Sequence, residues 1–190
     1  MDWRLQRVTE PARVVEASVV KQHLRVDTSV EDTLIERYID AAVASIEGQY
    51  GIGVLMNEQQ WKAFFDRFYG IIRLPLFPVK SIDAIKYIDQ DGDEQTLDAS
   101  VYRVDTVSNP ARITTEFNQT WPITRAREPN AVTVEFTGGF DTVPKDLEQA
   151  VILFASHLFE NRQPVVEGTR RELPMAVEAI LSRYRVPGIG

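Results

Sequence analysis

Residues 143–162 carry more apolar side chains than one face of a helix can bury. Pro144 fits the first turn of a helix, where a missing N–H breaks no hydrogen bond. Asp146 and Glu148 suit the positive N-terminal end of a helix, and Pro164 ends the pattern. The segment therefore predicts a helix over about residues 144–162.

The apolar residues of this helix cover almost its whole circumference. One face has helical spacing and consists of Leu147, Ala150, Val151, Phe154 and Leu158. The remaining sides carry Ile152, Leu153, Ala155 and Phe159. Because a helix that is apolar nearly all round is buried nearly all round, we expect a central core helix or a helix shared with a neighbouring subunit.

Composition removes several classes of function. The chain has 190 residues, enough for one domain or a domain with an insertion. It has no cysteine, which excludes disulfides, thiolate zinc sites and cysteine nucleophiles. His23 and His157 are far apart, so we expect no multi-histidine metal site. We also expect no membrane span and no signal peptide, because no long apolar run occurs and the N-terminal residues are charged.

The charge is unevenly distributed along the chain. The net charge of −7 argues against wrapping nucleic acid, which requires clustered lysine and arginine. From Asn161 onward the sequence has five arginines and three glutamates, so this tail is basic while the rest is acidic. This asymmetry suggests head-to-tail electrostatic contacts between subunits. An ordinary solvated surface explains the same pattern.

The order of elements predicts an α+β fold with a helical core. We predict helices at about 18–25, 30–49, 144–162 and 174–185, with the 30–49 helix packed against the 144–162 helix. The strand patterns fall together, and Asp91-Gly92 is typical of a hairpin turn. Separate runs of helices and strands favour α+β architecture over alternating βαβ units. We therefore predict a helical connector core with a C-terminal tail, residues 1–58 and 138–190, and an inserted antiparallel β-rich subdomain, residues 59–137.

No motif in the sequence predicts catalysis, and we expect no catalytic residue, metal ligand or cofactor. Asp89, Asp91 and Asp93 resemble a calcium loop superficially, but the glycine and glutamate that an EF-hand loop needs are absent from its sixth and twelfth positions. A solvated hairpin turn explains them better. His157 and Glu160 share a helix face without a second histidine nearby. No P-loop, G-x-S-x-G or G-x-G-x-x-G pattern occurs.

Four blocks of the sequence resemble a known family. They are VVKQHLRVDTSVEDTLIERYIDAAVASIEGQYG, IRLPLFPVKSIDAIKYIDQDGDEQTL, FTGGFDTVPKDLEQAVILFASHLFENRQPV and LPMAVEAILSRYR. Their order and spacing resemble the ring-forming head–tail connector, or adaptor, family of tailed bacteriophages. No single block is diagnostic, and the β-rich segment is longer than the family pattern.

The resemblance implies a structural virion protein without enzymatic activity, cofactor or membrane partner. Members of that family form a ring of about twelve copies below the portal protein, and a repeated heterologous interface is the geometry that closes a ring. The ring extends the DNA channel and joins the capsid to a stopper or tail-completion protein. DNA passes through the lumen without sequence-specific binding. The resemblance places the protein in the virion neck, after assembly in the host cytoplasm.

The resemblance also implies roles for two groups of residues. The candidates for the helical core or the subunit interface are Phe154, Leu158 and Phe159. The candidates for contact with the portal or an adjacent ring are Arg170, Arg171, Arg183 and Arg185.

Three other interpretations remain open at this point. The first is a stopper or tail-completion ring protein in the same neck. The second is a cytoplasmic ligand-binding domain whose pocket lies in the β-rich block. The third is an enzyme that uses carboxylates between Asp89 and Glu94.

Overall fold

The computed structural model describes residues 3–161 and 174–185, which form two compact units. The β unit contains residues 3–11 and 58–139. The helical unit contains residues 12–57, 140–161 and 174–185. Four helices and two antiparallel sheets make up these units, which confirms the predicted α+β fold.

The helical unit contains all four predicted helices. Their bounds are α1 Ala17–Leu24, α2 Asp32–Ile46, α3 Lys145–Glu160 and α4 Met175–Leu181. The predicted α2 and α4 were several residues too long at their C-terminal ends. α2 packs against α3, as predicted, and α3 also contacts α1 and α4.

A tight loop ends α2. Gly48 has a φ of 71°, a left-handed conformation that favours glycine. A Cβ atom on Gly51 would lie 2.0 Å from the carbonyl oxygen of Ile46, so only glycine fits there. Glu47 is buried, and its carboxylate accepts a hydrogen bond from the backbone N–H of Met56 at 2.7 Å. The loop that follows α2 is therefore held in one conformation.

α3 is only partly buried within one chain. Its buried residues are Leu147, Ala150, Val151, Ala155 and Ser156. Phe154 and Leu158 continue the line of the buried face but are only half buried, and no residue of α3 from His157 onward is buried. The expectation that α3 is buried nearly all round is therefore wrong for the single chain, because Ile152, Leu153 and the last turn are incompletely covered.

The β unit contains eight strands in two sheets. Their bounds are β1 Trp3–Arg7, β2 Gln59–Phe65, β3 Ile71–Arg73, β4 Val79–Ile88, β5 Glu94–Thr96, β6 Tyr102–Asp105, β7 Arg112–Thr115 and β8 Val132–Gly138. The five-stranded sheet has the order β1-β2-β8-β4-β5, and the three-stranded sheet has the order β3-β7-β6. All strand pairs are antiparallel, as predicted.

β8 lies at the centre of the five-stranded sheet and alternates as its sequence predicts. Val132, Val134 and Phe136 are buried, and the residues that alternate with them are half-buried. On the opposite face, Glu135 forms ion pairs with Lys62 at 2.8 Å and with Lys86 at 3.2 Å. These contacts, led by Lys62, lower the pKa of Glu135. One face of the sheet therefore forms the core and the other is polar.

Two features of the β unit differ from the sequence predictions. β4 begins at Val79, directly after Pro78, whereas the sequence pattern predicts a strand only from Ala84. Pro78 precedes the strand, so its missing N–H removes no ladder hydrogen bond. β1 pairs with β2, with Trp3 opposite Phe65, whereas the predicted division assigned residues 1–58 to the helical core. Apart from this strand, the division of the chain into core and insertion stays a prediction.

Replacing the central core residue tests the arrangement of the β unit. We expect Phe136→Ala to lower its free energy of unfolding by about 3–5 kcal/mol, because the change leaves a cavity at a fully buried site. Urea denaturation followed by tryptophan fluorescence measures this, since all three tryptophans lie in described parts of the β unit. Thr133→Ala on the polar face is the control, and we expect about 0.5 kcal/mol or less. A loss below about 1 kcal/mol in Phe136→Ala contradicts the core assignment.

Candidate assembly surface of the helical unit

The C-terminal half of α3 presents large apolar side chains that the chain covers only in part. Phe154, Leu158 and Phe159 are all half buried, and together they define the α3 apolar surface. The Phe159 ring meets Tyr38 of α2 edge to face, with centroids 6.3 Å apart and an interplanar angle of 85°. Aromatic rings anchored in this way at low entropic cost are well suited to protein contacts. The three predicted core or interface residues therefore lie on one helix, and their role stays a prediction.

The segment after α4 is attached to the first turn of α3. The hydroxyl of Tyr184 donates a hydrogen bond to Asp146 Oδ1 at 2.7 Å. Arg183 Nη1 lies 4.0 Å from Asp146 Oδ2. Burial, followed by the hydrogen bond to the Asp146 carboxylate and its charge, raises the pKa of Tyr184 to about 12. These contacts hold the end of α4 against the N-terminal end of α3.

The predicted arginine candidates divide into two pairs. Arg183 and Arg185 follow α4, with side chains 72% and 53% exposed. Arg185 Nη2 lies 3.9 Å from Glu178 Oε1, so these two side chains form a long ion pair. Arg170 and Arg171 lie outside the described residues. The two described arginines are therefore accessible to another protein despite their ion pairs, and their partners stay a prediction.

One of the carboxylates that suggested metal or acid–base chemistry, Asp89, is held by hydrogen bonds within its own turn. Asp89 Oδ1 accepts the backbone N–H groups of Asp91, Gly92 and Asp93, each at 3.0 Å. The Gln95 side chain donates to Asp89 Oδ2, and this bond together with the backbone bonds lowers the pKa of Asp89. Within residues 3–161 and 174–185, no three acidic or histidine side chains group as a metal site would require. The Asp89 turn is therefore organised as a hairpin.

His157 also has a local structural setting. The side-chain nitrogen of Asn161 donates to the carbonyl of His157 at 2.8 Å and lies 3.2 Å from its Nδ1. The same carbonyl also accepts the backbone N–H of Asn161 at 3.0 Å, so Asn161 closes the last turn of α3. His157 thus belongs to the end of α3.

A surface depression in the β unit bears on the ligand-binding interpretation. Its lining residues are Asp66, Arg67, Tyr69, Arg127, Glu128 and Pro129. Small-molecule sites are usually enclosed and mostly apolar, whereas this depression is open and largely charged. It offers little support for a ligand pocket. Separately, no helix in the described part of the chain has the length and apolar character needed to cross a bilayer.

Comparison with known proteins identifies the family resemblance. Residues 18–74 match the family described as phage gp6-like head-tail connector protein. This segment runs from α1 through α2 and its glycine-rich end to β3. The resemblance to head–tail connectors is confirmed. A search of curated proteins finds no match to the sequence.

Solved structures resemble the chain over nearly its full length. A chain in the neck of an empty GTA particle, computed with C6 symmetry, is 26% identical, with a TM-score of 0.76 over 98% of this chain and 100% of that chain. A chain in the virion of a native gene transfer agent (GTA) particle is 25% identical, with a TM-score of 0.75 over 98% and 99%. A chain in a native GTA neck computed with C12 symmetry shares the fold at 24% identity and a TM-score of 0.73. With the family match, the first two support a structural neck or adaptor role in a virion.

Sequence reasoning missed the contact between Tyr184 and Asp146. The two residues are 38 positions apart, and neither belongs to a motif that predicts the other. Tyrosine near the end of a short helix is a weak signal by itself. Only the packing of α4 on α3 brings its hydroxyl to the carboxylate.

Removing the Tyr184 hydroxyl tests this contact. We expect Tyr184→Phe to lower the free energy of unfolding of the helical unit by about 1.5–3 kcal/mol, because one hydrogen bond to a charged carboxylate is lost. Ultraviolet titration is the more specific measurement: the component near pH 12 should disappear in Tyr184→Phe. Tyr50→Phe is the control, since Tyr50 is 89% exposed.

The pH dependence of this contact has a defined sign. The pKa of Tyr184 is higher in the folded protein, about 12, than its usual value of 10.0, so folding favours the protonated hydroxyl. Its contribution to stability is therefore complete below about pH 10 and is lost as pH rises towards 12. A wild-type stability that falls no faster than that of Tyr184→Phe across this range contradicts the assignment.

Proposed function

We propose that this protein is a non-enzymatic head–tail connector that forms a ring in the neck of a virion. The proposal rests on the structural match to a chain in the neck of an empty GTA particle. The match covers 98% of this chain and 100% of the neck chain. The connector family match over residues 18–74 supports the same role. The ring extends the DNA channel below a portal protein and joins it to a stopper or tail-completion protein.

In the proposed ring, the α3 apolar surface lies at the contact between subunits. A ring requires a heterologous interface, in which one surface of each copy meets a different surface of the next. The half-buried Phe154, Leu158 and Phe159 provide apolar area that a second copy would cover. The C6 symmetry of the similar neck supports a ring whose copy number is a multiple of six. We propose about twelve copies in a closed ring.

The charge of the protein suits a channel for DNA. The net charge of −7 repels phosphate, so DNA passes through the lumen without sequence-specific binding. Arg183 and Arg185 are exposed cations at the end of the helical unit, and we assign them, with Arg170 and Arg171, to contact with the portal or an adjacent ring. The proposed location is the virion neck, and assembly takes place in the host cytoplasm without cofactor or membrane.

A charge on the α3 apolar surface tests the ring interface. We expect Phe159→Asp to prevent ring formation, because a carboxylate would be desolvated at the subunit contact. Native mass spectrometry of the purified protein and electron microscopy of particles measure this. Particles made without the protein should show full heads unattached to tails, and Phe159→Asp should resemble them.

Two controls make this result specific. Val30→Asp introduces the same charge at a side chain that is 88% exposed and should leave rings intact. Circular dichroism must show that Phe159→Asp remains folded. Rings and tailed particles in folded Phe159→Asp contradict the interface assignment, and tail attachment without the protein contradicts the connector role.

The exposed arginines after α4 give a separate prediction. We expect Arg183→Gln with Arg185→Gln to weaken docking of the ring to its neighbour about tenfold or more while rings still form, because charged contacts set docking rather than fold. Glutamine removes the charge without repelling Asp146 or Glu178, the carboxylates beside these arginines. Cosedimentation of rings with capsids measures docking.

The matched control neutralises two arginines elsewhere in the helical unit. Arg25→Gln with Arg37→Gln makes the same change in net charge and should leave docking unchanged. Normal docking in the Arg183 and Arg185 variant would remove these residues from the contact.

A further inference from the structure

The outward face of the three-stranded sheet carries three arginines. Arg73 of β3 lies directly opposite Arg112 of β7, and Arg103 of β6 lies opposite Thr114 of β7. Because side chains alternate along a strand, Arg73, Arg103 and Arg112 lie on the same face, here called the arginine face. The opposite face carries Ile72 and Ile113, which are fully buried. The arginine face is therefore the exposed side of this sheet.

One charge on the arginine face has no ion-pair partner among the described residues. Arg112 pairs with Asp105 at 2.6 Å, and Arg103 pairs with Glu116 at 2.9 Å. Arg73 has no ion pair with any residue in the described ranges. It also faces Arg112 across the strand pair, and like charges at this position are destabilising. An acidic partner would offset this repulsion.

Apolar side chains at fixed positions flank the arginines. Ile71 shares the arginine face and is 37% exposed, and Val107 in the β6–β7 turn is 96% exposed. Asp105 Oδ1 accepts the backbone N–H groups of Val107 and Ser108 at 3.1 and 3.0 Å, so the turn has defined geometry. Arginine beside exposed apolar residues is typical of protein interfaces.

The tip of the β4–β5 hairpin carries the opposite charge. Asp91, Asp93 and Glu94 are exposed, and none of them has an ion pair with another described residue. Asp89 holds the turn in shape through its three backbone hydrogen bonds. Arg125 lies beside this turn, because a Cβ atom on Gly92 would be 2.6 Å from Arg125 Nη1. The ion pair of Arg125 is with Glu128.

We propose that the arginine face of one copy binds the acidic hairpin tip of a second copy. Arg73 would meet the carboxylates of Asp93 and Glu94, and Ile71 and Val107 would add apolar contact. Face and tip are different surfaces, so the contact is heterologous and can repeat around a ring. The inference rests on the proposed ring, and it assigns the β unit a role in joining neighbouring subunits.

Charge reversal tests this contact directly. We expect Arg73→Glu and Glu94→Arg each to weaken self-association about tenfold at low salt, because each places like charges at the contact. The double variant should restore association to within about threefold of wild type, since the reversed pair is again complementary. Sedimentation velocity measures association, and tryptophan fluorescence confirms folding. Arg127→Glu is the control, an exposed arginine of the same unit that lies outside the three-stranded sheet.

Cross-linking in isolated necks provides an independent measurement. The chain has no cysteine, so Arg73→Cys with Glu94→Cys introduces two defined attachment points. A short bismaleimide should join neighbouring copies into dimers and larger species on a denaturing gel. Arg127→Cys with Glu94→Cys should remain largely uncoupled.

The outcomes separate this inference from the proposed function. Intact rings without cross-links, or a charge-swapped double variant that does not regain association, overturn the contact and leave the connector role standing. Necks that lack a ring of this protein contradict the connector role itself. Binding of duplex DNA that Arg73→Glu abolishes and Arg127→Glu preserves would assign the face to phosphate and overturn the proposal.

Discussion

The packing of α3 against α1, α2 and α4 is the contact on which the helical unit depends. The buried residues of α3 include the small Ala150, Ala155 and Ser156. The larger Phe154, Leu158 and Phe159 remain half buried along the rest of the helix. The same helix thus holds the helical unit together and retains the apolar area that the proposed ring would use.

In the β unit, each sheet likewise has one buried face and one polar face. β8 is hydrogen-bonded on both sides, by β2 and β4, and its inward residues form the core while its outward residues are polar. The three-stranded sheet also buries one face, and its other face carries arginines. The β unit therefore offers surfaces and turns with fixed geometry as candidate contact sites. The depression in this unit has neither the enclosure nor the apolar lining of a small-molecule site.

The chain is acidic overall and therefore repels DNA, but it also carries local positive sites that can attract a protein partner. A net charge of −7 disfavours contact with phosphate. Arg73 and the exposed Arg183 and Arg185 are positive sites within this acidic chain. Such sites can select a protein partner and its orientation without making the whole surface adhesive. This arrangement would suit the proposed passage of DNA through the ring.

The sequence by itself determined the four helices, the alternation of β8, the Asp91-Gly92 hairpin and the resemblance to connectors. These features depend on residues that are close in sequence, where periodicity and turn chemistry act. Only the tertiary structure decided that Trp3 pairs with Phe65, that Tyr184 bonds Asp146, and that the last turn of α3 stays partly exposed. The arginine face likewise exists only because three strands from separate parts of the chain align. These contacts join residues tens of positions apart, and local preferences carry no information about which distant partner a residue meets.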